Sequence, residues 1–248
     1  MNTQQLALIK KDIRSITSNK QVLIVMLMVP LALTIILPSI LVFVTVLVPG
    51  SASDFQKLLV MLTVSAGEHD QKQVILWLML NRIMPAFFLM IPVMASSVMA
   101  ASSFVGEKEK RTLETLLYSP LTLKQLFQSK ILAGFSVGMM VSYISVAAMM
   151  LVLEIEMFFL TGSVIMPDIS WLIIMLLIAP AISLVAIAVT VRGSAKAQTI
   201  EEAQQRAVFL IFPILALVIG QFTGVILVNS GLLLGLGVVL ALFAVVLM

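Results

Sequence analysis

The chain has 248 residues, 61% of them hydrophobic and only 11% charged, with a formal net charge of +3. Soluble domains carry about 45–50% apolar and about 25% charged residues, so a water-soluble fold is excluded. A cysteine count of 0 removes disulfides, thiolate metal sites and a cysteine nucleophile, without fixing the redox compartment. The pI near 9.3 reflects a topogenic bias described below and does not point to nucleic acid.

Residues 3–18 read as an amphipathic helix at the inner leaflet. Leu6, Ile9, Ile13 and Ile16 recur at helical spacing, while Lys10, Lys11, Arg14 and Ser18 fall mostly elsewhere. Six apolar stretches follow, at 22–48, 83–105, 131–153, 171–191, 207–228 and 231–248. Each is close to the roughly 20 residues that a span needs, and none contains Asp, Glu, Lys or Arg. The first is not a signal peptide: its apolar core exceeds the usual length of about 7–15 residues, and no Ala-x-Ala site follows. The expected fold is all-α, a single polytopic domain over 1–248 with six transmembrane helices. No polar tail follows the last stretch, the pattern of a natural chain that continues past Met248.

Between the first two spans, Phe55, Leu58, Leu59 and Leu62 form one helical face. Val74, Trp77, Leu78 and Leu80 make a second, with Trp77 suited to the membrane interface. These predict two short external interfacial helices; the alternative is that 74–80 extends the second span across Asn81 and Arg82. Within the spans, Pro30, Pro38, Pro85, Pro92, Pro180 and Pro213 each remove a backbone donor and should bend or break their helices. Small residues at Ala95, Ser96, Ser97, Ala100, Ala101, Ser102 and Ser103 allow close helix contacts, as do the Gly-x-x-x-Gly pairs at Gly134, Gly220 and Gly231.

Lys and Arg set the orientation. Four precede the first span (Lys10, Lys11, Arg14, Lys20), five lie between the second and third (Lys108, Lys110, Arg111, Lys124, Lys130), and three between the fourth and fifth (Arg192, Lys196, Arg206). Only Lys57, Lys72 and Arg82 lie on the other side. The larger set is therefore cytoplasmic, with both termini inside.

The first cytoplasmic loop places Leu113, Leu116 and Leu117 on one helical face, with Glu114 and Thr115 turned away and Pro120 ending the segment. Thr122-x-x-Gln125 then offers a capping box for a helix running into the third span. In the second loop, Thr199-x-x-Glu202 is another capping box, leading into the fifth span.

Glu107, Thr112, Leu113, Glu114, Leu116, Leu117 and Pro120 resemble the signature loop of type-2 ABC exporter permeases, Glu-x-x-x-Gly-Thr-Leu-Glu-x-Leu-Leu-x-x-Pro. Arg111 stands where that pattern has Gly. The Thr199, Glu201, Glu202 and Arg206 segment is similar to the Lys-Thr-x-x-Glu-Ala-Gln run of sodium-extrusion and antibiotic-efflux ABC permeases. The resemblance implies the membrane half of an ATP-driven exporter in the cell membrane. Residues 3–18 would be its elbow helix, the 106–120 loop its contact with a separate ATPase subunit, and 199–206 a second contact. By the same resemblance a second permease copy or homologue would complete the pore, the lipid bilayer would surround it, and ATP and Mg would bind to the partner, leaving this chain without a cofactor.

Two other readings bear weighing. Glu201-Glu202-x-x-x-Arg206 matches the motif of CAAX-type intramembrane proteases, whose glutamates activate water with the help of histidines. The only histidine is His69, on the opposite side by the charge count, so that site cannot be built. An ion-coupled carrier keeps ionisable residues within the bilayer, and the spans have none; Gln221, Glu154 and Glu156 read as packing or interfacial groups. No Gly-Lys pair occurs, so there is no Walker A loop.

Overall fold

The computed structural model describes residues 3–18, 20–47, 71–109, 111–112, 121–162, 167–194, 196–222 and 230–247. Among them the chain is almost entirely helical, without a strand. Helix α1 (Thr3–Ser18) is followed by α2 (Lys20–Leu47), α3 (Gln71–Leu78), α4 (Met84–Phe88) and α5 (Met90–Glu109). Then come α6 (Leu123–Thr161), α7 (Ile169–Ile173), α8 (Ala179–Ser194), α9 (Ile200–Val208), α10 (Ile211–Phe222) and α11 (Ser230–Leu247). Wider π turns at Met79–Ile83 and Ile174–Ile178 join α3 to α4 and α7 to α8. By length and composition four helical runs can cross a membrane: Met26–Leu47, Val74–Glu109, Leu123–Leu160 and Ile169–Ser194. Ile211–Gly220 and Gly231–Leu247 are apolar but shorter.

The prolines explain where the helices deviate. A proline ring collides with the carbonyl four residues earlier. Pro85 thus opposes Asn81, and Pro180 opposes Leu176, each inside a π turn. There Met84 N–H reaches back to Met79 O, and Ala179 N–H to Ile174 O, so the wider turn keeps the chain bonded past the obstruction. Before Pro92 the helix breaks at Leu89, whose N–H bonds Ala86 O. Before Pro213 it breaks at 209–210. Pro30 and Pro38 lie inside α2, which continues unbroken through both.

The 74–80 segment belongs to a helical run continuous with the second span, not to a separate interfacial helix. Asn81 is buried there because its Oδ1 accepts the Asp168 N–H at 2.7 Å, which satisfies the amide's oxygen inside the protein. Trp171 Nε1–H donates to Leu80 O at 3.2 Å beside it. Arg82 stacks 6.0 Å from the Trp77 ring. The expected external helix around Phe55–Leu62 lies outside the described residues.

Helix α5 is the hub, packed on α6, α8 and α9. Its small residues permit this: Ala95, Ser96, Ser97, Ala100, Ala101 and Ser103 are all buried. A Cβ added at Gly138 of α6 would lie 3.2 Å from Ser96 Cα and closer still to its side chain, so the two backbones touch. Ser96 and Ser183 hydroxyls join α5 to α8 at 2.6 Å. In α11 the close approach is made by Gly237, against Leu177, whereas Gly235 of the expected pair meets nothing within 4 Å among the described residues.

Candidate functional site

The charged connections gather at one end of the bundle. Lys130, at the start of α6, is only 1% exposed. Its ammonium lies 2.9 Å from Glu107 Oε2 at the end of α5 and 3.7 Å from Asp12 Oδ2 of α1. It donates to the Ser103 carbonyl and, at 3.1 Å, to Ser103 Oγ, and sits over the Phe104 ring. Ser103 Oγ–H in turn donates to Asp12 Oδ2 at 2.8 Å. Lys11 closes the group by donating to Glu107 Oε1 at 2.8 Å and lying 3.7 Å from Asp12 Oδ1. Two cations and two carboxylates give a cluster with no net charge, the condition under which buried charges can persist. Partial burial pulls the Lys11 ammonium down, but the bond and charge of Glu107, with Asp12 behind it, outweigh that and hold it above the ordinary lysine range.

This cluster sets the orientation of α1. Its buried residues are Gln5, Leu8, Asp12 and Ile16. Leu6, on the face expected to meet the inner leaflet, is 56% exposed, whereas Ile16 of the same set is buried. Drawing Asp12 inward turns Leu6 away from the protein, toward the side where a helix of this composition meets lipid.

Next to the cluster, the chain leaves α5 through a left-handed turn. Thr112 N–H bonds Glu107 O at 2.8 Å and Arg111 N–H bonds Lys108 O at 3.1 Å, the paired bonds of a Schellman helix end. That motif puts its next-to-last position, C′, in the left-handed region, and Arg111 has φ 54° there. Glycine in the common loop pattern fits this role; here an arginine takes it at a steric cost of about 1 kcal/mol.

The second loop joins the same end. Lys108 Nζ donates to Ala197 O at 2.9 Å. Ile200 packs against the α5 end, and a Cβ at Gly106 would meet it at 3.5 Å. Arg192 Nη2 donates to Leu247 O at 2.9 Å, which ties the end of α11 to the end of α8.

The first expected capping box forms, and the second forms in half. Thr122 Oγ1 accepts the Gln125 N–H at 3.3 Å while Gln125 Oε1 accepts the Thr122 N–H at 3.1 Å. Thr199 Oγ1 accepts the Glu202 N–H at 3.3 Å, and Glu202 Oε2 accepts the N–H of Gln198, one residue further back, at 2.9 Å. Glu202 is thus engaged as a helix cap, and Glu201 points to solvent. Arg206 lies in α9, its side chain outside the described residues. Leu113, Glu114, Leu116, Leu117 and Pro120 also lie outside them, so the site is described only at its two roots, Glu107–Thr112 and Thr122–Lys130.

Sequence reasoning found Glu107 but not Asp12, Ser103 or Lys130. Asp12 carried a signal: it is the only acidic residue before Asp54, and it lies four residues from both Leu8 and Ile16. Lys130 carried none, since lysines at span ends ordinarily snorkel to the interface.

Apolar helices packed on a small-residue seam, with their charged connections drawn to one end, define a multi-pass membrane protein. A sequence model of the ABC-2 family of transporter proteins matches residues 78–234, more than half of the chain. The chain belongs to that family and is an ABC-2 type permease. The match includes Glu107, Lys130 and the 192–206 loop, and leaves α1 with Asp12 outside it. No curated protein and no solved structure matches the chain.

Proposed function

We propose that this permease is one half of the membrane part of an ATP-driven exporter, a single domain over 1–248 with six spans and both termini in the cytoplasm. The fifth and sixth spans are α10 and α11, which connect α9 at the charged end to the Asn81 end and back. A separate ABC ATPase subunit binds ATP and Mg and docks on the 106–120 loop, with Thr199, Glu201, Glu202 and Arg206 as a second contact. A second permease copy or homologue completes the pathway. The observation that carries this reading is the ion-pair cluster. It joins the elbow helix, the root of the loop at Glu107 and the return into α6 at Lys130, so a push on the loop moves three elements together.

A permease without a phosphate loop receives its energy through a surface. Glu107 is buried in the cluster, and an exposed ion pair at Glu114 would contribute only about 0–1 kcal/mol, whereas a fully buried leucine contributes roughly 1.5–3 kcal/mol. The face of Leu113, Leu116 and Leu117 therefore supplies most of the docking energy. Leu116→Asp should abolish co-purification with the ATPase or uncouple ATP hydrolysis from export in lipid discs, and Glu114→Gln should do much less. Wild-type assembly and coupling in Leu116→Asp would remove the loop as the docking surface.

A further inference from the structure

Beside the ion-pair cluster, α1 and α6 leave between them a groove of about 610 Å³. This lies within the range of about 300–1,000 Å³ typical of small-molecule sites. Gln5 and Ile9 form one wall, Gln128, Leu132 and Phe135 the other, and Leu184 of α8 also lines it. The polarity of the α6 wall is ordered. Lys124, Gln128, Leu132 and Phe135 share one helical face, and from cation to ring they span about 16 Å. An exposed ammonium, an amide, an aliphatic chain and an aromatic ring thus follow one another from the charged end into the apolar region.

Charge completes the description. Lys11 and Lys130 are paired with carboxylates. Lys124, one turn outward from Gln128, and Lys10, adjacent to Ile9, are exposed and have no carboxylate partner among the described residues. A second copy docked symmetrically on this groove would bring these lysines against their own equivalents. An anionic amphiphile matches both the charge and the polarity order.

We propose that the groove holds an anionic phospholipid from the leaflet at the charged end. Its headgroup lies on Lys124 and Lys10, its ester oxygens accept from Gln128, and one acyl chain lies along Leu132 and Phe135. The lipid would then wedge α1 against α6 next to Ser129 and Lys130. The proposal requires only that the chain sits in a bilayer, so its failure would leave the ATPase reading untouched.

The test uses the intact transporter in lipid discs containing a phosphatidylglycerol or a phosphatidylcholine with a photoactivatable acyl chain. Cross-links are mapped by mass spectrometry. Labelling at 131–135 should exceed that at Leu151, an α6 residue 62% exposed and far from the groove. The anionic probe should label it at least fivefold more than the zwitterionic one. A lysine near an anionic surface is worth about a fivefold effect, so Lys124→Ala should cut the anionic yield about fivefold and leave the zwitterionic yield unchanged. Leu132→Trp, checked for an unchanged unfolding temperature, should fill the groove and lower both yields. Labelling at 131–135 no higher than at Leu151 would mean annular lipid only and overturn the proposal. So would a headgroup ratio indifferent to Lys124→Ala, or quantitative disulfide dimers from a single cysteine at Leu132.

Discussion

Lys130→Met is the most direct test of the cluster. The ammonium is 1% exposed, is 2.9 Å from Glu107 and 3.7 Å from Asp12, and also bonds Ser103. Removing it leaves two buried carboxylates facing only Lys11 and changes the cluster's charge from zero to minus one. Deleting one partner of a buried pair costs about 3–5 kcal/mol. For a chain of this size each kcal/mol moves the unfolding temperature by about 2–4 °C, so a fall of roughly 6–20 °C is expected. The cause can be separated from lost packing by a second substitution. Glu107→Gln added to Lys130→Met restores neutrality, with Lys11 against Asp12, and should recover about 1–3 kcal/mol relative to the sum of the single effects. The assay is thermal unfolding in detergent followed by the fluorescence of Trp77 and Trp171. Lys130→Met unfolding within about 2 °C of the parent would refute the reasoning, as would a double variant whose losses simply add. The first result would mean that the buried charges do not hold the helices together. The second would mean that they act independently.

Arg111→Gly relieves a left-handed arginine and should raise stability by up to about 1 kcal/mol, whereas Arg111→Val should lower it; denaturation of the purified permease distinguishes them. Gly138→Ala forces α6 away from Ser96 and should cost about 1–3 kcal/mol, read as a lower unfolding temperature and partly recovered by Ser96→Gly. Glu201→Gln should keep most transport activity, and Glu202→Gln should lose only a helix cap of about 1 kcal/mol. Complete inactivation by both, in protein that still assembles with its ATPase, would revive the protease reading. Lys11, held above its ordinary range, contributes stability that is fully present below the unfolded lysine value and lost as pH rises through the folded one. The stability gap between wild type and Lys11→Met should therefore close only in strongly alkaline buffer, as followed by unfolding temperature against pH.

Much of this protein is local and so was legible in the sequence. Long uncharged apolar runs have no alternative to a helix in lipid, because each backbone group must find its partner within the segment. The caps at Thr122–Gln125 and Thr199–Glu202 involve residues three or four apart, and the deviations before Pro85, Pro92, Pro180 and Pro213 follow from one ring and one carbonyl. The second span's extent was less legible: Asn81 and Arg82 left open whether 74–80 extends it, and the distant Asp168 amide that bonds Asn81 is not visible from the local sequence. The site depended on distance in the same way. Lys11 and Glu107 are 96 positions apart and Ser103 and Asp12 are 91 apart, so no periodicity could join them. Hydrophobic spacing placed the Leu6 face at the leaflet, but not the opposite face that carries Asp12 to Lys130, where a buried ammonium without a carboxylate would be costly. The elements follow from neighbours in the chain, whereas the cluster that ties them together follows from charges that only folding brings within reach.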